Sequence, residues 1–370
     1  MGGQERRVLA ESLGMSARGH EVRIAAPSDG ALAARARESG LEVIPLSFRR
    51  DRLPIAVLGL SRLLRRLRPD VTNSHSSADS WVVALARSLG SDPGALVRSR
   101  HISAQVDPGP LHRFLYGQAD YLITTGEKVR GDLAESGLFP LARSTSIPSG
   151  VDPDRFRPEP ERRDGARRSL GIPATATVIG VVAYLREDKG HSVLLRAMPQ
   201  ILEACPDCLL VVVGDGGLRA GLESLATDLG VRSAVRFAGH REDIPDVLAA
   251  LDIFCLPSVR NEGVPQSLLQ AGAAGLPAVS TKVGGIPEAV ADEVTGLLVP
   301  PDDSGALAGA LSRLIRDPEE RSRLGRAARG RMRDGYSVER MLDLTERAYE
   351  EAVRCAAARR PPGPGRRPAQ

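Results

Sequence analysis

Short apolar runs alternate with segments of helical periodicity along most of the chain. In the first half the runs are His20–Ala26, Leu41–Leu46, Val71–Ser74, Ala95–Arg100, Tyr121–Thr124 and Ser144–Ile147. In the second half they are Val178–Ala183, Leu209–Gly214, Val235–Ala238, Ile253–Leu256, Ala278–Ser280 and Gly296–Val299. Runs of this kind fit strands buried on both faces, with the intervening helices as cover. Strand–helix alternation predicts parallel sheets, and two such series predict two doubly wound α/β domains. Ligands of such domains bind at the carboxyl ends of the strands.

The pattern also predicts boundaries. Residues 1–152 form a first domain, closed by Pro148–Ser149–Gly150–Val151–Asp152. A Pro-, Glu- and Arg-rich stretch, 153–168, reads as a linker. Residues 169–335 form the second domain. A helix over 336–357 is expected to pack back toward the first domain, and the Pro/Arg-rich tail 358–370 is expected to be disordered. The start breaks the pattern. Met1–Gly2–Gly3 leads directly into a helical segment, Glu5–Ala17, where a doubly wound sheet should open with a strand. The reading is a sheet lacking its first, central strand, with either a natural start upstream or a damaged protein as the explanation.

Composition narrows the class. A chain of 370 residues suits two ordinary domains. Aromatic residues are 3% of it, so the core must rest on Leu, Val, Ala and Ile. No apolar run reaches bilayer length and no signal peptide opens the chain, so a cytoplasmic location is expected. The net charge of +4 suits phosphate-bearing ligands and anionic surfaces. Nucleic acid is not expected, because no basic platform carries the aromatics that stack bases. The segment Ile55–Arg68 interleaves Ile55, Leu58, Leu63 and Leu67 with Arg62, Arg65, Arg66 and Arg68. It fits either a helix covering the sheet or peripheral contact with an anionic membrane. Cys205 and Cys208 lack the further ligands a zinc site needs and read as a helix-to-strand turn; no metal site is expected.

The densest chemistry lies between Ser258 and Glu288. The strand Ile253–Leu256 ends at Pro257, Glu262–Gly263–Val264–Pro265 makes a loop, and a helix begins at Gln266. That order offers free backbone N–H groups at a helix start, where the helix dipole favours phosphate or sugar oxygens. Glu262 sits at the mouth and can accept from sugar hydroxyls. Gln270 follows about two helical turns on, so both can face one crevice. Elsewhere, Lys189 is one of only three lysines, with Lys128 and Lys282, in an arginine-rich chain. It follows Arg186 just after a strand.

This stretch resembles the family 4 GT-B glycosyltransferases. Their motif is two glutamates separated by seven residues, then G-x-P-V-V and G-G-x-P-E. Glu262 matches the first glutamate; Gln270 stands where the second is usual. Tyr184-Leu185-Arg186-Glu187-Asp188-Lys189-Gly190 resembles the family's G-R-L-x-x-x-K-G, Val213–Gly216 its V-G-D-G, and Ser149–Asp152 its N-G-V-D. The resemblance implies a GT-B fold and a nucleoside diphosphate sugar donor. It implies retention of configuration and no metal or other cofactor. It places Glu262 on the donor sugar, Arg186 and Lys189 on the diphosphate, Gln270 on the ribose and His101 at the transferred sugar. Two cations stabilise the charge that builds on the leaving diphosphate. Gly2 and Gly3 resemble the family's glycine loop, and Gly214, His240, Gly263, Val264, Pro265 and Glu288 complete the expected donor site. The N-E-G-V-P-Q, H-S-S and R-H-I-S segments look like enzymes of lipopolysaccharide or other cell-surface glycan assembly, so a glycan or glycolipid acceptor is expected.

Plainer readings stand beside these. Asp215 reads as turn chemistry. Glu288 either binds donor or caps a short helix near Pro287. His75 fits a structural hydrogen bond at a strand end as well as it fits function, and His20, His112 and His191 read as packing or surface residues. Two other classes remain: a nucleotide-sugar epimerase or hydrolase on the same fold, and a non-catalytic donor-binding protein. A nicotinamide oxidoreductase is not expected, since no G-x-G-x-x-G joins a strand to a helix.

Overall fold

The computed structural model describes residues 2–101, 106–260 and 262–359. The chain forms two compact units, residues 1–148 with 339–370 and residues 149–338.

The first unit opens with helix α1 (Gly3–Ala17). There follow β1 (Arg23–Ala26), α2 (Ala31–Glu38), β2 (Glu42–Pro45), α3 (Leu53–Leu67), β3 (Val71–Ser74), α4 (Ser77–Ser88), β4 (Ala95–Arg100), α5 (Pro110–Gly117), β5 (Tyr121–Thr124), α6 (Glu127–Glu135) and β6 (Ser144–Ser146). All its strand pairs are parallel, but they form two sheets: β1–β2 alone, and β3–β4–β5–β6. The expected strand ahead of α1 has no counterpart among the described residues. Gly3 is already helical and Gly2 is the N-cap, its amide donating to Glu5 Oε2 at 2.8 Å. Gly2 and Gly3, expected as a glycine loop, stand at the start of this helix, where the Glu5 side chain closes back on the Gly2 amide.

Helix α3 buries Ala56, Val57, Leu60 and Leu64 on one face and ends where Arg68 turns left-handed, φ 47°. It covers the sheet, while Ile55 and Leu58 stay exposed on its other side. Helix α4 starts with a reciprocal cap, Asp79 taking the Ser76 amide at 2.8 Å while the Ser76 hydroxyl accepts the Asp79 amide.

The second unit contains α7 (Pro160–Ser169), β7 (Val178–Val182), α8 (His191–Ala204), β8 (Leu209–Val213), α9 (Arg219–Asp228), β9 (Val235–Gly239), α10 (Ile244–Ala250), β10 (Ile253–Leu256), α11 (Gln266–Ala273), β11 (Ala278–Thr281), α12 (Ile286–Ala289), β12 (Gly296–Val299), α13 (Ser304–Arg316) and α14 (Pro318–Gly335). Its one parallel sheet runs β12–β11–β10–β7–β8–β9. The order reverses between β7 and β10, which makes their carboxyl ends a topological switch point. One continuous aliphatic core fills this unit, from Val178 and Leu194 through Phe254 to Leu314.

Two boundaries need correction. The stretch read as a linker, 153–168, carries α7 and belongs to the second unit. Arg163 and Arg167 of α7 both clamp Asp252, at 2.6 and 2.9 Å, and the same carboxylate accepts the Val178 amide at 2.8 Å. Arg167 further donates to the carbonyls of Ala250, Ala174 and Ala176. The arginines that made the segment read as solvated instead pin it to the sheet. The last helix, α15 (Val338–Arg359), runs beyond the boundary expected at 357, and all but its first residue group with the first unit. It lies close on α1: a Cβ at Gly14 would stand 2.3 Å from Leu342 Cδ1. Arg18 reaches Asp343 and Glu346 at 2.7 and 2.9 Å. Residues 360–370, the rest of the expected tail, lie outside the described residues. No helix among the described residues is long and apolar enough to cross a membrane.

Candidate functional site

In the second unit a ladder of backbone hydrogen bonds ties five strand-end loops into one rim. The Gly214 amide donates to Gly239 O (2.8 Å), Leu185 to Asp215 O (3.1 Å), Val259 to Asp188 O (2.9 Å) and Gly285 to Glu262 O (3.1 Å). These bonds join the loops after β9, β8, β7, β10 and β11. Glycine permits the close approach. Gly190 has φ 68°, and a Cβ there would lie 1.9 Å from Pro257 O; at Gly284, φ 53°, it would lie 1.9 Å from Glu262 O.

Lys189 and Glu262 meet at the switch point. Lys189 Nζ donates to Glu262 Oε1 at 2.5 Å, and the Ser258 hydroxyl donates to the same oxygen at 2.6 Å. Both side chains of the ion pair are largely buried, at 15% and 6% exposure. Thr281 Oγ1 donates to Ser258 O at 2.5 Å and fixes the loop from behind. Gly263, Val264 and Pro265 lead from Glu262 into α11, with Pro265 as its N-cap. The helix therefore starts a few residues past the glutamate that holds the cation. Gln270 lies buried on the same helix, and Gln266 is tied to Gly150 O at 2.9 Å. Ser258 opened the motif in the sequence, but its part in orienting Glu262 was missed; a hydroxyl just past a buried strand and four residues before the glutamate was the available signal. Asn261, within that motif, lies outside the described residues.

The other expected residues are spread along the rim. Gly214 and His240 stand side by side at the ends of β8 and β9, His240 exposed. Glu288 is in the first turn of α12, and its carbonyl accepts from Arg331 and Tyr336. Arg186 is not in the Lys189–Glu262 hydrogen-bond cluster. Its side chain is 61% exposed, bonds Asp188 at 3.2 Å, and lines a cavity of about 480 Å³ with His191, Leu218, Arg260 and Pro301. The two cations expected to act together have separate partners: Asp188, two residues on, holds the exposed Arg186 guanidinium, and Glu262 holds Lys189. His191, read as packing or surface, is buried beside that cavity. Burial, with Lys189 adding to it, pushes its imidazole down to about 4.

In the first unit, His75 and His101 follow β3 and β4. Their rings touch, His75 Nδ1 lying 3.1 Å from His101 Nε2. Burial holds both below the ordinary histidine value. Behind them is a polar cluster that sequence reading missed. Arg7 Nε donates to Glu11 Oε2 at 3.1 Å, and Arg7 also donates to the carbonyls of Ile147 and Pro148. Tyr349 donates its hydroxyl proton to Glu11, and Asn73 Nδ2 donates to the Tyr349 oxygen at 2.9 Å. Burial alone would raise the Glu11 carboxyl; Arg7, His75 and Tyr349 outweigh it and hold it low. Residues 102–105, which include the end of the R-H-I-S segment, lie outside the described residues.

Comparison with known proteins fits this geometry. The family model described as "Glycosyltransferase Family 4" matches residues 1–155, and "Glycosyl transferases group 1" matches 162–331. A D-inositol 3-phosphate glycosyltransferase of Saccharomonospora viridis is 33% identical over 311 residues, covering 77% of this chain and 70% of the relative. A GDP-mannose-dependent monoacylated alpha-(1-6)-phosphatidylinositol monomannoside mannosyltransferase of Corynebacterium glutamicum is 38% identical over 204 residues, 53% of each chain. The matches span between about half and 70% of such curated relatives' length. Among solved structures, Anabaena HepE in complex with UDP-glucose superposes with a TM-score of 0.81 at 21% identity, over 95% of this chain and 96% of that one. That likeness confirms the fold class, α/β with two doubly wound GT-B units. The chain belongs to glycosyltransferase family 4.

Proposed function

We propose that the protein transfers a sugar from a nucleoside diphosphate sugar to a hydroxyl acceptor on a cell-surface glycan or glycolipid, with retention of configuration and without a metal. The observation that carries this reading is the Lys189–Glu262–Ser258 cluster at the switch point, beside the first turn of α11. Breaking the glycosidic bond leaves negative charge on the diphosphate. A preorganised ammonium and helix-end amides are suited to that charge, and they need no proton transfer to do it. Glu262, aligned by Lys189 and Ser258, is the acceptor for donor-sugar hydroxyls. Gln270, uncharged, binds the ribose hydroxyls more weakly than an acid would. Arg186 supplies a second cation for the diphosphate, and His101 is assigned to the transferred sugar. The named substrates of the relatives, an inositol phosphate and a phosphatidylinositol mannoside, favour a polyol or glycolipid acceptor.

The test is a thermal-shift and turnover screen with UDP-glucose and GDP-mannose, in the presence and absence of EDTA. We expect at least one donor to raise Tm and to be consumed equally well with EDTA. The Lys189→Ala variant should keep a cooperative melt and lose roughly 10²–10³ in kcat. Undiminished turnover in that variant, or no response to any nucleoside diphosphate sugar, would overturn the reading.

A further inference from the structure

His75 and His101 are brought together by strand register. β3 and β4 pair in parallel, Asn73 beside Val97 and Ser74 beside Arg98, and each chain runs on from its strand into a histidine. The rings stack with centroids 5.3 Å apart and planes 21° from parallel. His75 is itself held. Its backbone N–H donates to Asp79 Oδ2 at 3.1 Å, and Asp79 is locked into the cap of α4. Asn73, two residues earlier, is fixed by Ser99 Oγ at 3.0 Å and by Glu11 at 3.3 Å. The carboxylates of Glu11 and Asp79 act electrostatically on His75.

A hydrogen bond between two neutral imidazoles needs one N–H and one bare nitrogen. The His75–His101 contact therefore admits only complementary tautomers: whichever form His75 takes dictates the form of His101. We propose that His75 is a positioning residue, holding the His101 ring in one orientation and tying its tautomer to its own, so that His101 Nδ1 offers a hydrogen-bonding role set by the pair. The role in transfer rests on reading His101 as the sugar-facing residue; the pairing does not. An unpaired imidazole divides between two tautomers, and only one suits a given hydroxyl contact. Fixing it in advance removes that loss at the moment of reaction.

Long-range ¹H–¹⁵N correlation spectra of protein labelled at its histidines test this directly. In the wild type His75 Nδ1 and His101 Nε2 should be complementary, one protonated and one bare, and the two rings should change tautomer only together. In the His75→Leu variant His101 should populate both tautomers. Its kcat should fall about tenfold while KM for the nucleotide sugar changes little. The His75→Gln variant, whose amide still donates and accepts, should recover part of the loss. Two facing nitrogens both protonated or both bare in the wild type would overturn the proposal even if no variant folds. So would a His101 tautomer ratio unchanged by His75→Leu. Complementary tautomers in a wild type that turns over no donor would remove the transferase reading and leave the pairing intact.

Discussion

His191 is buried at the start of α8 without a well-formed hydrogen bond to either ring nitrogen. Burial keeps it neutral in the folded protein down to about pH 4, whereas the ordinary histidine value is 6.5. The sign follows from linkage. Between pH 6.5 and 4 the unfolded chain binds a proton that the folded chain does not, so stability falls as pH falls through that window. The full difference is on the order of 3 kcal/mol, and most of it is gone by pH 4.5. Urea unfolding at pH 7 and pH 4.5 should therefore show a drop in the wild type that is smaller by about 2 kcal/mol in His191→Leu. Equal drops would show that the imidazole is not neutral in the fold. Its sequence context, Lys189-Gly190-His191, marked the lysine but carried no sign of the burial. The cavity beside it is lined by Leu218 and Pro301, which come from later elements. The same limit explains Arg186. A cation near Lys189 in sequence was legible, but its pairing with Asp188 is a choice of rotamer that spacing does not determine.

At the scale of elements, strands read well because burial on both faces leaves a local signature: four Val and Leu side chains in a row need no distant partner to be recognised. Helix α7 read badly because its signature is distant. Glu161, Arg162, Arg163 and Asp164 look like a solvated linker until Asp252, most of a domain later, is placed beneath Arg163 and Arg167. The strand-end loops fall between these cases. Their glycines were visible, but only the fold shows that Gly190 must pass against the Pro257 carbonyl. An alanine there meets both a left-handed φ of 68° and a backbone atom 1.9 Å away. Gly190→Ala should cost about 3 kcal/mol or more, lowering Tm of the second unit by roughly 5–10 °C. It should also spread Lys189 from Glu262, because the glycine joins Lys189 to α8 and packs on the loop that follows β10. Gly221→Ala is the control. That glycine sits inside α9 with nothing within 4 Å of the added Cβ, so the change should be neutral or stabilising by up to about 1 kcal/mol. Calorimetry of the two variants decides; similar melting points would mean that the loop has room to yield.

The two units differ as whole bodies. The second has six strands in one sheet over one core. The first divides its strands between a pair and a set of four, and its buried apolar side chains gather in several clusters, one around Ile24, one around Leu60 and one around Leu122. A two-stranded pair is marginal by itself, and neither β1 nor β3 has a strand on its outer side within its own sheet. Besides these apolar clusters the unit carries a polar one: the buried Arg7–Glu11 pair, with Tyr349, Asn73 and Thr345 closing on it from α15 and β3. Such clusters stabilise less than the apolar burial they replace, because each charge must first be stripped of water. That the last helix packs on this unit was expected from the sequence, but the Tyr349–Glu11 contact it brings was not, since the two residues stand 338 apart in the chain. The first unit should therefore unfold first. The single tryptophan, Trp81, lies in α4 of that unit, stacked on Phe114 with centroids 6.1 Å apart, so its fluorescence reports the first unit alone. Helical circular dichroism reports both. In urea the fluorescence midpoint should fall below the dichroism midpoint, and the dichroism curve should be broadened or biphasic. Coincident single transitions would mean that the divided sheet is no weakness, and that the polar cluster binds the first unit as firmly as the aliphatic core binds the second.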